Sequence, residues 1–287
     1  MNITGTTKIC AIIGDPVEHT MSPAMHNAAY KKLRLDYAYI PFHVKREELA
    51  KAVAGLRALN VRGFNVTIPH KVAVIPLLNG LDPLAEKIGA VNTVVNTDGE
   101  LRGYNTDAEG FLQALLEHGI KPEKKNVIVV GAGGASRAIT YVLLANGARV
   151  TIVNRREELD WAEDIAALAR ETMNQEVKVY DLIHLSQVVE GADLLVNATS
   201  VGMSPNTDKS PVPAGLLNEV PAVFDIVYNP IETRLLREAK AAGATVIGGV
   251  DMLAWQGALA FEKWTGRKSP VGLMRREAVK MLEQHEK

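Results

Sequence analysis

Three polar clusters interrupt apolar sequence in the N-terminal part of the chain. They are His19-Thr20-Met21-Ser22-Pro23, the stretch Gly63-Phe64-Asn65-Val66-Thr67-Ile68-Pro69-His70-Lys71, and Gly89-Ala90-Val91-Asn92-Thr93 together with Gly103-Tyr104-Asn105-Thr106-Asp107. Hydroxyls, amides, one lysine and one aspartate suit a small polyhydroxylated substrate. If the clusters follow strands, they sit where α/β sheets bind ligands, at the carboxyl ends. Each also has a plainer reading. Ser22 ahead of Pro23 is a helix N-cap signal, and Asp107 falls in the first turn of a helix, where a carboxylate is favoured by the helix dipole.

A fourth segment points to a nucleotide. Asn126-Val-Ile-Val-Val-Gly131-Ala-Gly133-Gly134-Ala135-Ser136 is an apolar strand feeding a glycine turn and then a helix. Gly131 permits the tight turn, and Gly133 lets backbone approach a pyrophosphate lying on the helix N-terminus. Ser136 stands where the dinucleotide fingerprint has its third glycine, a mild departure because a small residue still allows close helix–strand packing. The next strand ends in Asn154-Arg155-Arg156-Glu157. Arginines here favour the 2′-phosphate of NADP, since a guanidinium fork matches phosphate oxygens. Glu157 leaves NAD open, because an acidic residue near this position can bind a ribose 2′-hydroxyl.

The elements that position these residues alternate between strand and helix. The pattern gives strands at Lys8–Gly14, Tyr37–Val44 and Gly63–Thr67, with helices from Pro23, capped by Ser22, to about Leu35 and at Glu47–Leu59. A second series has strands at 126–130, 149–154, 177–180, 192–197, 222–227 and 244–247, with helices between them. Two apolar-patterned helices, Val250–Trp264 and Val271–Gln284, close the chain. Such alternation implies a mainly parallel sheet covered by helices on both faces.

Composition excludes several classes. At 287 residues the chain is near the limit of one hydrophobic core, so two domains are expected. Lys plus Arg is 32 and Asp plus Glu 33, giving 32 − 33 = −1 with no basic stripe for nucleic acid. The longest stretch free of charged residues, Leu194–Thr207, is too short for a membrane span of roughly 20 residues. The single cysteine, Cys10, forms no intrachain disulfide, reads as a buried small hydrophobe and fits a cytoplasmic setting. No metal is expected.

Taken together, Asn65-Val-Thr67-Ile-Pro-His-Lys71, Gly89-Ala-Val-Asn92-Thr93, Asn105-Thr106-Asp107, the glycine turn through Ala138, Asn197-Ala-Thr199-Ser-Val-Gly-Met203, Tyr228-Asn-Pro-Ile-Glu-Thr-Arg-Leu-Leu236 and Gly249-Val-Asp-Met-Leu-Ala-Trp-Gln256 resemble the shikimate dehydrogenase family, in family order over nearly the whole chain. The resemblance implies two α/β domains around a cleft. Residues 1–105, completed by helices from 240–287, would be the N-terminal substrate-binding domain, and 106–239 a Rossmann-like NADP-binding domain. It implies reversible NADPH-dependent reduction of 3-dehydroshikimate to shikimate, on the route to chorismate and the aromatic amino acids. By motif, Lys71 and Asp107 would be the catalytic pair. Thr20 and Ser22, with Tyr228, would grip the substrate carboxylate. Asn65, Thr67, Asn92 and Gln256 would face the ring, beside Lys71 and Asp107. Gly131, Gly133, Gly134, Ala135, Asn154, Arg155, Arg156, Thr199, Ile226 and Gly249 would contact the cofactor. A homodimer is expected, with neither nucleic acid nor membrane as partner. His19, His26 and His70 are assigned no catalytic role and are expected on helix surfaces or behind the site.

Two departures bear on selectivity. Thr20 adds a methyl where the family's serine–x–serine pair usually begins. Leu159 occupies the position of the last basic residue in the family's Asn-Arg-Thr-x-x-Arg/Lys motif. The Asn-Arg-Arg-acidic form resembles quinate/shikimate dehydrogenases able to use NAD, which is the alternative reading. An inactive shikimate-binding regulator is disfavoured because Lys71, Asp107 and the glycine turn are all present. Methylenetetrahydrofolate dehydrogenase has a comparable layout, but its expected motifs do not replace the substrate-site matches.

Overall fold

The computed structural model describes residues 3–285. The chain forms two compact units. One contains the residues up to Asp107 together with Ala254–His285, and the other is Ala108–Leu253. The second unit continues past residue 239, where sequence placed its end, because a strand at Thr245–Ile247 pairs in its sheet.

In the first unit the elements are β1 (Lys8–Gly14), α1 (Ser22–Lys32), β2 (Tyr37–His43), α2 (Leu49–Ala58), β3 (Gly63–Val66), β4 (Gly80–Leu81), α3 (Pro83–Ile88), β5 (Thr93–Thr97) and β6 (Glu100–Tyr104). The sheet order is β2-β1-β3-β5-β6-β4. β1, β2 and β3 are parallel, whereas β5 runs antiparallel to β3 and β6. Successive side chains of a strand face opposite ways. Ala11 and Ile13 therefore join Phe64, Val66, Val94 and the α2 residues Val53 and Leu56 in one core. The β5–β6 hairpin was not read from sequence. Its turn is Asp98-Gly99, both at positive φ (53° and 92°), the geometry that two-residue hairpins favour. Helix α1 also differs from expectation. It starts at Ser22 itself, with Met21 at the cap position and no side-chain cap bond, and it ends before Arg34, whose φ is +53°.

The remaining elements are α4 (Asp107–Glu117), β7 (Asn126–Val130), α5 (Gly134–Ala145), β8 (Arg149–Asn154), α6 (Leu159–Met173), β9 (Lys178–Asp181), α7 (Leu185–Val188), β10 (Leu194–Asn197), β11 (Ala222–Asp225), α8 (Arg234–Ala241), β12 (Thr245–Ile247), α9 (Gly249–Thr265) and α10 (Val271–His285). The second sheet has the order β12-β11-β10-β7-β8-β9 and is parallel throughout. Its central strands read as continuous apolar runs because helices cover both faces. Val127–Val130 and Leu194–Asn197 are buried end to end. Ile128, Val130, Leu195 and Val223 pack with Leu235 and Ala239 of α8. Strand order reverses between β7 and β10, which makes their carboxyl ends the expected ligand position of a doubly wound sheet.

The C-terminal helices complete the first unit. Helix α10 packs on α1, and the fully buried Trp264 of α9 donates its indole N–H to the Val94 carbonyl at 2.9 Å. Cys10 is fully buried, and burial pushes its thiol up to about 12. Among the described residues, no helix is long and apolar enough to cross a membrane.

Candidate active site

The turn after β3 places Lys71. His70 Nε2 lies 2.6 Å from the Val44 carbonyl, the His70 amide donates to the Thr67 carbonyl at 2.9 Å, and the Lys71 carbonyl accepts from the Val91 amide at 2.8 Å. With its backbone fixed on both sides, Lys71 extends its ammonium to Asp107, donating to Oδ2 at 2.7 Å. Both side chains are largely shielded, 14% and 6% exposed. Asp107 opens α4, and its amide donates to Asn105 Oδ1 at 3.0 Å, an Asx turn that sets the helix start.

Asn92 orients the carboxylate. Its Oδ1 accepts from the Thr106 amide at 2.8 Å, so its Nδ2 must face the other way, where it donates to Asp107 Oδ1 at 2.8 Å and Thr106 Oγ1 at 2.9 Å. Gln256 Oε1 lies 3.4 Å from the same nitrogen. The two oxygens of Asp107 thus meet one cation and one amide, and Lys71, Asn92, Asp107 and Gln256 form one cluster. The elementary chemistry is a held proton on Lys71 Nζ, aimed by a carboxylate that is itself fixed.

Asn65 lies behind this cluster. It is 4% exposed, accepts from Tyr39 Oη at 2.6 Å, and donates to the Asn92 carbonyl at 3.1 Å and Thr93 Oγ1 at 3.0 Å. Both ends of its amide are engaged, so it braces β3 against β5. Thr67 follows it, half-buried. Thr20 and Ser22 stand together at the start of α1, Ser22 as its first residue. The Thr20 hydroxyl donates to Ser22 Oγ at 3.2 Å and accepts from the Ser22 amide at 3.3 Å. The Ser22 hydroxyl is therefore paired with Thr20 and is not a helix cap. Tyr228 is half-buried beyond β11 in the second unit. Of the histidines, His19 is exposed and His70 braces the Lys71 turn. His26 is not on a helix surface: it is fully buried and stacked on Tyr39 (centroids 4.3 Å apart, planes 7° apart).

In the second unit the glycine turn is built for close approach. Gly131 has φ +105°, and a Cβ there would lie 2.6 Å from the Thr199 methyl, so only glycine fits. A Cβ at Gly133 would meet nothing within 4 Å, so protein leaves the space beside the start of α5 unfilled. Gly134 and Ala135 open α5 with free helix N-terminal character. Ser136 donates to the Gly131 carbonyl at 2.7 Å, tying helix to turn in place of the fingerprint's third glycine. The residues present therefore fit a dinucleotide pyrophosphate. At the end of β8, Asn154 Nδ2 donates to the Glu158 carbonyl at 2.6 Å, while Arg155 and Arg156 are exposed. Arg155 donates to Glu158 Oε1 at 2.6 Å, which raises its pKa further. Thr199 is fixed by Asn197, and the Ile226 carbonyl lies where any Cβ on Gly249 would go.

Sequence reasoning did not read the polar groups that hold these residues. Thr93 and Asn197 were quoted only as members of motifs, with no role, and Asp225 at the end of β11 gave no spacing signal. Asp225 is fully buried, and burial pushes its carboxyl up to about 6 against the opposing hydrogen bonds from Thr233, Val227 and Asn197.

The chain is similar to known proteins along nearly its whole length. The family described as "Shikimate dehydrogenase substrate binding domain" matches residues 12–94. "Shikimate / quinate 5-dehydrogenase" matches 114–227, and "Shikimate 5'-dehydrogenase C-terminal domain" matches 249–279. The shikimate dehydrogenase (NADP(+)) of Methanopyrus kandleri is 47% identical over 287 residues, 98% of this chain and 98% of the relative. A crystal structure of a shikimate dehydrogenase in complex with NADP+ superposes with a TM-score of 0.91 at 41% identity, covering 98% of each chain. The Thermus thermophilus enzyme in complex with NADP(H) and shikimate gives 0.84 at 40% identity, covering 95% of this chain and 99% of that one. With matches of this identity along nearly its whole length, the chain belongs to the shikimate dehydrogenase family.

Proposed function

We propose that this protein is an NADP-dependent shikimate dehydrogenase, reversibly reducing 3-dehydroshikimate to shikimate on the route to chorismate and the aromatic amino acids. The observation that carries the reading is the shielded Lys71–Asp107–Asn92 cluster, formed by the same residues that carry the family motif. The first unit takes the substrate role and the second the cofactor role. When bound, NADPH supplies a hydride to the substrate carbonyl carbon. Lys71 holds a proton at Nζ, beside which the carbonyl oxygen gains negative charge, and either transfers that proton or stabilises the oxyanion. Asp107 aims Lys71 and retains lone pairs to accept from a ring hydroxyl. Asn92 fixes Asp107, Gln256 and Thr67 add ring contacts, and Asn65 acts through the strand it braces. Thr20 and Ser22 take the substrate carboxylate with paired hydroxyls. Tyr228 is assigned there on the family motif alone. Gly131, Gly133, Gly134 and Ala135 hold the pyrophosphate, Asn154, Arg155 and Arg156 the 2′-phosphate side, and Thr199, Ile226 and Gly249 the other half.

One observation favours a second reading. Arg155 is already paired with Glu158, and Leu159 supplies no charge, so NAD with quinate or shikimate is the alternative. A steady-state assay of shikimate and quinate against NADP+ and NAD+ separates them. Highest kcat/KM with shikimate and NADP+ is expected, and no turnover in any of the four combinations would reject enzymatic function. A cytoplasmic homodimer is the working state in this proposal. Light scattering showing a single chain would remove the dimer.

A further inference from the structure

Asp225 closes β11, where register places Asn197 of β10 directly between Asp225 and Val130 of β7. Its carboxylate is fully buried and accepts three hydrogen bonds. Asn197 Nδ2 donates to Oδ1 at 2.9 Å, the Val227 amide to Oδ1 at 3.0 Å, and the Thr233 hydroxyl to Oδ2 at 2.6 Å. Each donor governs a different piece of chain. Asn197 turns its Oδ1 to the Thr199 amide (3.0 Å) and hydroxyl (2.7 Å), which sets the methyl that crowds Gly131. Val227 fixes the backbone between the Ile226 carbonyl, packed on Gly249, and Tyr228. Thr233 caps α8 by accepting from the Leu236 amide at 3.2 Å.

Sheet order shows what this carboxylate lies beneath. The arginines follow β8, on one side of the glycine turn of β7, while β10 and β11 lie on the other side. At roughly 4.8 Å per strand, the ends of β8 and β11 are about 14 Å apart. A dinucleotide with its pyrophosphate on β7 and its adenosine half toward β8 must lay its reacting half over β10 and β11. We infer that Asp225 is a positioning residue that holds the loops after β10 and β11 in register with the glycine turn, and so places the nicotinamide half of the cofactor. The inference rests on the cofactor reading above, with Asp225 itself touching neither cofactor nor substrate.

The test compares whole cofactor with its adenosine half in the full-length protein. In Asp225→Ala, kcat is expected to fall on the order of a hundredfold and KM for NADP+ to rise about tenfold, the scale of a small misplacement of reacting groups. The Kd of adenosine 2′,5′-bisphosphate, measured by calorimetry, should stay within about twofold, because that half is held from β7 and β8. Asp225→Asn keeps an oxygen for Asn197 and Val227 and should recover most of the activity. Wild-type kcat and KM in Asp225→Ala would overturn the inference, as would equal weakening of NADP+ and the bisphosphate. Should Asp225→Ala not fold, Thr233→Val removes one donor and is read by the same two ligands: a split between them supports the role, and no split rejects it. Wild-type protein is the reference in every arm, so failure of the cofactor reading would appear there and failure of the positioning role only in the variants.

Discussion

Lys71 and Asp107 come from opposite ends of a stretch that contains α3 and the β5–β6 hairpin, yet their charged atoms lie 2.7 Å apart with little exposure. Such a pair contributes little to stability, because desolvation offsets much of the attraction. Lys71→Ala is expected to lower kcat by about 10²–10⁴-fold with a small change in KM for shikimate, the pattern of an interaction made in the transition state. An unchanged kcat in steady-state assays would remove Lys71 from the mechanism. Asp107→Asn should also cripple turnover, since an amide nitrogen facing the ammonium breaks the aim while leaving the Asn92 contact on Oδ1. The exposed Arg155 raises a separate question of selectivity. Its guanidinium cannot serve Glu158 and a 2′-phosphate equally well. Arg155→Ala should raise KM for NADP+ by about tenfold or more with little effect on NAD+, the value of a hydrogen bond to a charged group. Glu158→Gln should shift the NADP+/NAD+ preference toward NADP+ by releasing the guanidinium. Equal changes with both cofactors in either variant would show that Arg155 does not read the 2′-phosphate.

At the scale of elements, the Ser136 hydroxyl is the clearest case of one bond joining two pieces of structure, α5 and the turn after β7. Ser136→Ala leaves the Gly131 carbonyl without that donor at a fully buried position, at a cost of about 1 kcal/mol. A Tm drop of roughly 2–4 °C is expected for a protein of this size, together with a raised KM for NADP+ and an unchanged KM for shikimate. Loss of shikimate affinity instead would show that the bond supports the fold at large. The glycine turn was legible in sequence because its geometry is local: strand, positive-φ glycine and helix follow one another. The β5–β6 hairpin was legible in principle, through Asp98-Gly99, but the polar residues flanking it read as ligand loops and masked the strands. Asn65 is the converse. Its motif marks a site residue, but its buried amide spends both ends on Tyr39, Asn92 and Thr93, which only tertiary contact reveals. The bond between Asn197, quoted only as part of a motif, and Asp225, which gave no signal at all, was hidden for the same reason, since the two residues come from separate strand ends.

For the molecule as a whole, His26 sets an acid limit on stability. It is fully buried among Tyr39, Trp264 and Phe261, its two ring nitrogens lack hydrogen-bond partners among the described residues, and burial lowers its pKa from 6.5 to about 3. The folded pKa is depressed, so this neutral imidazole costs nothing in linkage above pH 6.5. Below it the unfolded chain takes up a proton that the folded chain refuses. Stability therefore falls as pH drops from 6.5 toward 3, by about 1.4 kcal/mol per pH unit, a large share of the 5–15 kcal/mol that holds a typical domain. Asp225 acts in the opposite sense. Its folded pKa is raised to about 6, so between 6 and the ordinary carboxylate value the folded state binds the proton more tightly and gains stability as pH falls. Comparing His26→Phe with wild type cancels that opposing contribution. Phenylalanine keeps the stack on Tyr39 and carries no proton, so the wild-type urea midpoint should fall relative to that of the variant between pH 7.5 and pH 5. Parallel midpoints at the two pH values would place the acid sensitivity elsewhere and mean that His26 opens to water before it protonates.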